Sequence, residues 1–216
     1  MKIKDILFID FEASSLSTNS FPIEVGIALI EADKIESWSS LIRPDPSWQL
    51  DDWSTESAKV HRIPLDVVME APAARDVAMT VLSKIRHKHL VSDNPQFERF
   101  WMNRLLSTVD SESQFIFGYE QIAASACENN AHALDHVYER LERLRRPHRA
   151  GPDAARLASG VLRGLEFVRA AERKESGSDT GSTRRLNQQV GSFNDMSDED
   201  RNVFAALLEA EIKLLY

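Results

Sequence analysis

Cysteine is almost absent. Cys127 is the single one in 216 residues, so no intrachain disulfide can form. That fits a reducing compartment. Long uncharged apolar runs are missing too. Near the start, Ile6-Leu7-Phe8-Ile9 stops at Asp10 and Glu12, too soon for a secretory segment, and no later window approaches a membrane span. Positive charge is in deficit: 26 Lys and Arg face 34 Asp and Glu, a formal net charge of −8. Coating duplex phosphates works through Lys, Arg and counterion release, so this balance argues against an architectural DNA-binding role. It leaves room for a protein that grips one strand end, because divalent cations at clustered carboxylates invert the local charge. The reading is a cytoplasmic protein with no membrane partner.

What is present describes an ordinary globular chain, 43% apolar and 28% charged, long enough for one medium domain with a real core. Residues 6–9 form a continuous apolar run, as expected of a strand buried on both faces. Two further β-rich runs, 23–30 and 35–42, flank a turn at Asp33 and are closed by Pro44 and Pro46, giving a three-stranded meander. Segments 52–60, 65–69 and 73–86 read as helical. Leu90-Val91 is a short strand running into Ser92-Asp93-Asn94-Pro95, a helix start in which Asn94 can cap and Pro95 has no amide proton to leave unpaired. The helix that follows carries Phe97, Trp101 and Leu105 on one stripe, and 115–117 reads as another strand. Helices are expected over 120–128, 131–144 and 152–173. Residues 174–195, rich in Ser, Gly, Thr and Asn, read as a flexible linker or loop, and 196–216 as a C-terminal helix after a domain spanning 1–173. Strands first and helices later, with parallel pairing between the first and fourth strands, give an α/β layered fold without internal repeats.

Two local patterns carry chemistry. Asp10 and Glu12 follow the first strand at i and i+2, so both carboxylates project from the same side. Adjacent like charges repel unless a cation neutralises them, and hard divalent ions such as Mg²⁺ take oxygen ligands of this kind. Taken alone, the pair describes a solvated acidic turn equally well. The second pattern is His148-Arg149-Ala150-Gly151-Pro152-Asp153, bracketed by Pro147 and Pro152. That puts His148 in a loop and Asp153 in the first turn of a helix. A neutral imidazole there can take a proton from water. Alone, Asp153 reads equally well as a helix N-terminal acid and His148 as a surface loop residue.

Taken together and in this order, these residues resemble the histidine subclass of the DEDD exonucleases, which includes proofreading subunits of bacterial replicative polymerases and RNase T. The family's D-x-E motif is matched by Asp10-Phe11-Glu12, and its H-x-A-x-x-D motif by His148, Ala150 and Asp153. Its central H-N-A-x-F-D segment corresponds to Asp93-Asn94-Pro95-Gln96-Phe97-Glu98, and Val60-His61-Arg62-Ile63-Pro64 resembles the helical segment before it. The likeness covers about residues 4 to 165. One position departs: the third carboxylate is normally Asp, and here it is Glu98, one methylene longer. Asp93 is the alternative acid, and Phe97 directly before Glu98 favours Glu98.

The resemblance implies an RNase H-like mixed sheet, a three-stranded meander plus parallel strands, flanked by helices. It implies two-metal hydrolysis of phosphodiester bonds at nucleic-acid 3′ ends, with Mg²⁺ or Mn²⁺, releasing nucleoside 5′-monophosphates. Asp10 and Asp153, with Glu12, would hold the ion that activates water. Asp10 would bridge to a second ion, Glu98 would act directly or through water, and His148 would take the proton. The Ser14-Ser15-Leu16 turn matches the segment that contacts the terminal nucleotide, and Phe11, Leu16 and Phe97 are candidates for holding a base, each also a plausible core residue. The partner is a single-stranded DNA or RNA 3′ end, and a homodimer is the assembly the resemblance allows. An RNA-specific exoribonuclease of the same fold, or a catalytically weak nucleic-acid-binding relative, are the alternatives. The arginines at 140, 143, 145, 146 and 149 either guide a phosphate chain or, interleaved with Glu139 and Glu142, form a solvated helical face.

Overall fold

The computed structural model describes residues 2–178. Its strands are β1 (Ile6–Ala13), β2 (Pro22–Glu31), β3 (Lys34–Leu41), β4 (His89–Ser92) and β5 (Ile116–Gly118). They form one mixed sheet in the order β3-β2-β1-β4-β5. The first three make an antiparallel meander, and β4 and β5 join parallel to β1, which is the RNase H-like arrangement. The β2–β3 turn is Ala32-Asp33, with φ of 47° and 60°, the positive values that a two-residue hairpin turn of this twist requires.

The helices are α1 (Thr55–His61), α2 (Leu65–Met69), α3 (Ala74–Ile85), α4 (Pro95–Leu106), α5 (Tyr119–Ala126), α6 (Ala131–Arg143) and α7 (Ala150–Ser178). Strand alternation divides them into two layers. Leu7, Ile9 and Phe11 point into a core shared with Val77, Val81 and Ile85 of α3 and Trp101 and Leu105 of α4. Ile6 and Phe8 point the other way, into a core shared with α5, Val137 of α6, and Leu157 and Val161 of α7. Burial on this scale stabilises by roughly 1.5–3 kcal/mol per large side chain. Continuing the even row past Phe8 gives Asp10 and Glu12. The acids therefore share a face with α7.

One close approach sets where α7 lies. Gly26 is the cross-strand partner of Asp10. A Cβ at Gly26 would lie 2.0 Å from the backbone carbon of Ala150, so only glycine allows the first turn of α7 to press onto the sheet beside Asp10.

Some boundaries differ from the sequence reading. α1 begins at Thr55, after a 3-10 turn at Leu50–Asp52, because the Ser54 hydroxyl accepts the Ser57 N–H (3.2 Å) and caps it there. Asn94 makes no side-chain cap on α4; instead its own N–H donates to Ser92 Oγ at 3.0 Å. α7 starts at Ala150 and runs through Ser178, so 174–178 are helical where composition suggested a linker. Lys174 and Glu175 extend an existing helix at little cost, since nucleation is the expensive step. The rest of that linker and the 196–216 helix lie outside the described residues. Among the described residues, no helix is long and apolar enough to cross a membrane.

Candidate active site

The fold brings Asp10 and Glu12 of β1 together with Asp153 from the first turn of α7. One carboxylate oxygen from each lies within 4.8 Å of the others. Asp153 divides its work between its two oxygens. Oδ2 accepts the Arg149 N–H at 3.1 Å, which satisfies the helix N-terminus, while Oδ1 is buried with no partner. Glu98, on the first turn of α4, is 3% exposed and leaves Oε2 buried and unpartnered, with the Phe11 backbone N–H as a donor to its carboxylate. Two orphaned buried carboxylate oxygens beside a tight group of acids are costly in an apolar surround. Hard divalent cations would satisfy them, so the donor set fits such ions.

The electrostatics point the same way. Burial, then the charges of Glu12 and Asp153, hold Asp10 well above the ordinary carboxylate range. Burial and the charges of Asp153 and Glu24 push Glu12 up to about 8. Glu98 is raised by burial and then by Asp10, Asp93 and Glu12. Asp153 is raised by burial, against the lowering pull of the Arg149 N–H and of Arg146 and His148. Protons or cations must fill this cluster.

Two arginines border it. Arg146 pairs with Asp93, the alternative third acid of the sequence reading, at the end of β4. Arg149 grips Glu24 of β2 with two bonds, Nε to Oε2 and Nη2 to Oε1, both 2.8 Å. The arginine run is divided among separate partners: Arg140 donates to Ser159 Oγ and Arg143 pairs with Glu139. Between the two bordering arginines lies His148, exposed, in the left-handed region at φ 55°.

The remaining candidates separate by exposure. Leu16 is 72% exposed and Phe97 38%, Phe97 resting on Trp101 with ring centroids 5.3 Å apart. Phe11 is buried in the core on the opposite face of β1 from Asp10 and Glu12, so its side chain takes the core role. Ser14 and Ser15 are buried as well and shape the loop. Ser14 Oγ accepts the Phe21 N–H at 3.0 Å, and Ser15 Oγ donates to Asp52 at 2.5 Å.

Sequence reasoning missed Glu24 and Gly26 as parts of the site, named Arg149 only within the arginine run, and named His61 only as part of a motif. His61 is 2% exposed, its Nδ1 accepts the Ile63 N–H at 3.0 Å, and its Nε2 is buried without a partner. Burial lowers its pKa. A signal for Glu24 existed: it is the one charged residue in the apolar run 23–30, and a charge inside a strand covered on both faces needs a partner.

The exonuclease family typified by RNase T matches residues 7–159. No functionally curated protein matches the sequence significantly. A full-length 3′-exonuclease superposes with a TM-score of 0.54 at 19% identity, over 77% of this chain and 62% of that one. A 3′-exonuclease described in 3′-end recognition of a histone mRNA stem-loop gives 0.56 at 18% identity, over 77% and 84%. E. coli Exonuclease I in complex with a dA16 oligonucleotide gives 0.56 at 10% identity, over 79% and 42%. This chain spans less than two thirds of the first and third of these proteins. At such identities the likeness is one of fold.

Proposed function

The chain belongs to the RNase T exonuclease family, and on that premise we propose that it is a metal-dependent 3′–5′ exonuclease of the histidine subclass. The observation that carries the reading is the convergence of Asp10, Glu12 and Asp153 within 4.8 Å, with buried, unpartnered oxygens on Asp153 and Glu98. Asp10 and Glu12 would hold cations from the rigid end of β1, Asp153 from α7 and Glu98 from α4. Asp93 is already engaged by Arg146, which favours Glu98 as the third carboxylate. Two divalent ions bound there would supply an activated water and charge stabilisation for the leaving 3′ oxygen of an in-line displacement.

The protein's own groups do the rest. His148 takes the proton of the attacking water on an imidazole nitrogen, and its loop position leaves it open to solvent and substrate. The exposed Leu16 and Phe97 offer apolar surface on which a terminal base can unstack and rest. The product is a nucleoside 5′-monophosphate.

The test is digestion of 5′-labelled single-stranded DNA and RNA, side by side, with Mg²⁺, Mn²⁺ or EDTA. A ladder shortening from the unlabelled 3′ end, lost in EDTA, is the expected result. Release of the 5′ label as a mononucleotide from intact strands, or full activity in EDTA, would overturn the reading. The two substrates also separate a DNA exonuclease from an exoribonuclease.

A further inference from the structure

We propose that Glu24 is a positioning residue of this site, acting through Arg149 to fix both His148 and Asp153. The inference rests on the exonuclease reading above. Glu24 stands directly across from Glu12 in the β1–β2 register and is 2% exposed. By itself it works against the cluster, because its charge helps to raise Glu12. A buried acid there must be compensated by what it holds.

What it holds is the start of α7. Two parallel bonds of 2.8 Å fix the plane of the Arg149 guanidinium, and Oε2 also accepts the Ala150 N–H at 3.1 Å. Arg149 is thus tied through its side chain to β2 and through its own N–H to Asp153 Oδ2 at 3.1 Å. His148 is the residue before it, in a left-handed backbone conformation that a non-glycine residue keeps only where surrounding contacts compensate the strain. Both β2 and β1 belong to the sheet that carries Asp10 and Glu12. Glu24 therefore transmits the position of the strand-borne carboxylates to the histidine and to the helix-borne carboxylate. The Arg146–Asp93 pair, on the other side of His148, has more exposed partners and only one contact.

The experiment compares Glu24→Gln, Arg149→Met, Arg149→Lys and the Glu24→Gln/Arg149→Met double variant. It measures kcat and KM on a single-stranded oligonucleotide and, separately, the Mn²⁺ binding isotherm by calorimetry. Outer contacts that orient ligands typically contribute 10–100-fold in activity or metal affinity, so each single variant is expected to lose about that much in kcat and in Mn²⁺ affinity. KM should change by less than about threefold, because no strand contact is touched. The double variant should lose no more than the worse single variant, since one interaction is removed once. Arg149→Lys keeps the charge without the two-point grip, and it should behave like Arg149→Met.

Wild-type kcat and Mn²⁺ affinity in Arg149→Met or Arg149→Lys would overturn the proposal, as would additive losses in the double variant. Arg149 is 44% exposed, so its variants keep the test valid if Glu24→Gln fails to fold. Should the wild type prove inactive on every nucleic acid, the isotherms still judge the clamp independently of the exonuclease reading.

Discussion

Asp10 and Glu12 are carried by a strand that pairs with β2 beside them and with β4 just before them, up to Phe8, whereas His148 and Asp153 are carried by a loop and a helix start that side chains hold in place. On the strand side, position comes from backbone ladders and from Ile6 and Phe8, which share the acids' face and are at most 2% exposed. On the loop side, it comes from an arginine grip and from the bare backbone of Gly26. A sheet places carboxylates rigidly but cannot easily let them move. A loop can present a proton acceptor to solvent, and then needs anchors to keep it in register.

The comparison can be broken first at the strand. Asp10→Asn should reduce exonuclease activity to background while leaving the fold intact, because it removes charge from the shared centre of the cluster. Nuclease assays with circular dichroism check this, and a fully active variant would take Asp10 out of the site. Relief of repulsion should leave the metal-free protein no less stable than wild type.

Next comes the helix-borne acid with the longer side chain. Glu98→Gln should be severely impaired and Glu98→Asp active, with Mn²⁺ supporting more turnover than Mg²⁺ in the wild type. The longer side chain has more rotamers to fix, and Mg²⁺ demands stricter octahedral geometry. Rates of the three proteins with each ion decide it. Full activity of Glu98→Gln would return attention to Asp93.

On the loop side, His148→Ala should slow hydrolysis by roughly 10²–10⁴ and leave oligonucleotide affinity nearly unchanged, as loss of a general base does. Single-turnover rates and filter binding separate the two quantities. Loss of affinity at an unchanged rate would make His148 a binding residue.

A smaller effect reads the strand side without any chemistry. Glu12 is raised from 4.5 to about 8 by burial and like charge. Between those values the folded protein binds more protons than the unfolded chain, so this contribution to stability is complete below about pH 4.5 and is lost as pH rises through 8. The melting temperature of the metal-free protein should therefore fall across that window, by roughly 2–4 °C for each kcal/mol lost in a chain of this size. Glu12→Gln should flatten the slope, and Mn²⁺ should raise the melting point most at the alkaline end. An unchanged slope in Glu12→Gln would assign the effect to other groups.

The smallest change is expected at Arg146→Met. Its pair with Asp93 joins two partly exposed side chains, a class worth about 0–1 kcal/mol. Turnover should fall less than about fivefold. A loss as large as that of Arg149→Met would show that both anchors of the loop matter equally.

Much of this was legible in the sequence. The run Ile6 to Ile9 marked a strand covered on both faces, and the spacing of Asp10 and Glu12 put them on one side of it. Pro152 and Asp153 marked the start of a helix, and Pro95 the start of another. Phe11 falls, by the same parity, on the face opposite Asp10 and Glu12, where its side chain joins the core. Ser14 and Ser15 matched a motif, yet their hydroxyls are taken up by Phe21 and Asp52, partners no local pattern names. The arginine run left a phosphate guide and a solvated face both open, and four of its five arginines are divided among Ser159, Glu139, Asp93 and Glu24.

By itself the sequence determined the strand and helix periods, the order of the motifs and the parity that sends Asp10 and Glu12 to one face. Only the tertiary structure decided that α7 sits on Gly26, that Asp93 is engaged by Arg146, and that Glu24 holds Arg149. The physical reason lies in range. Periods of two and 3.6 residues are written by neighbours along the chain, whereas Glu24 and Arg149 meet across 125 positions. Such a contact exists only after the sheet has formed and the helix has packed against it, and it leaves no period behind in the sequence.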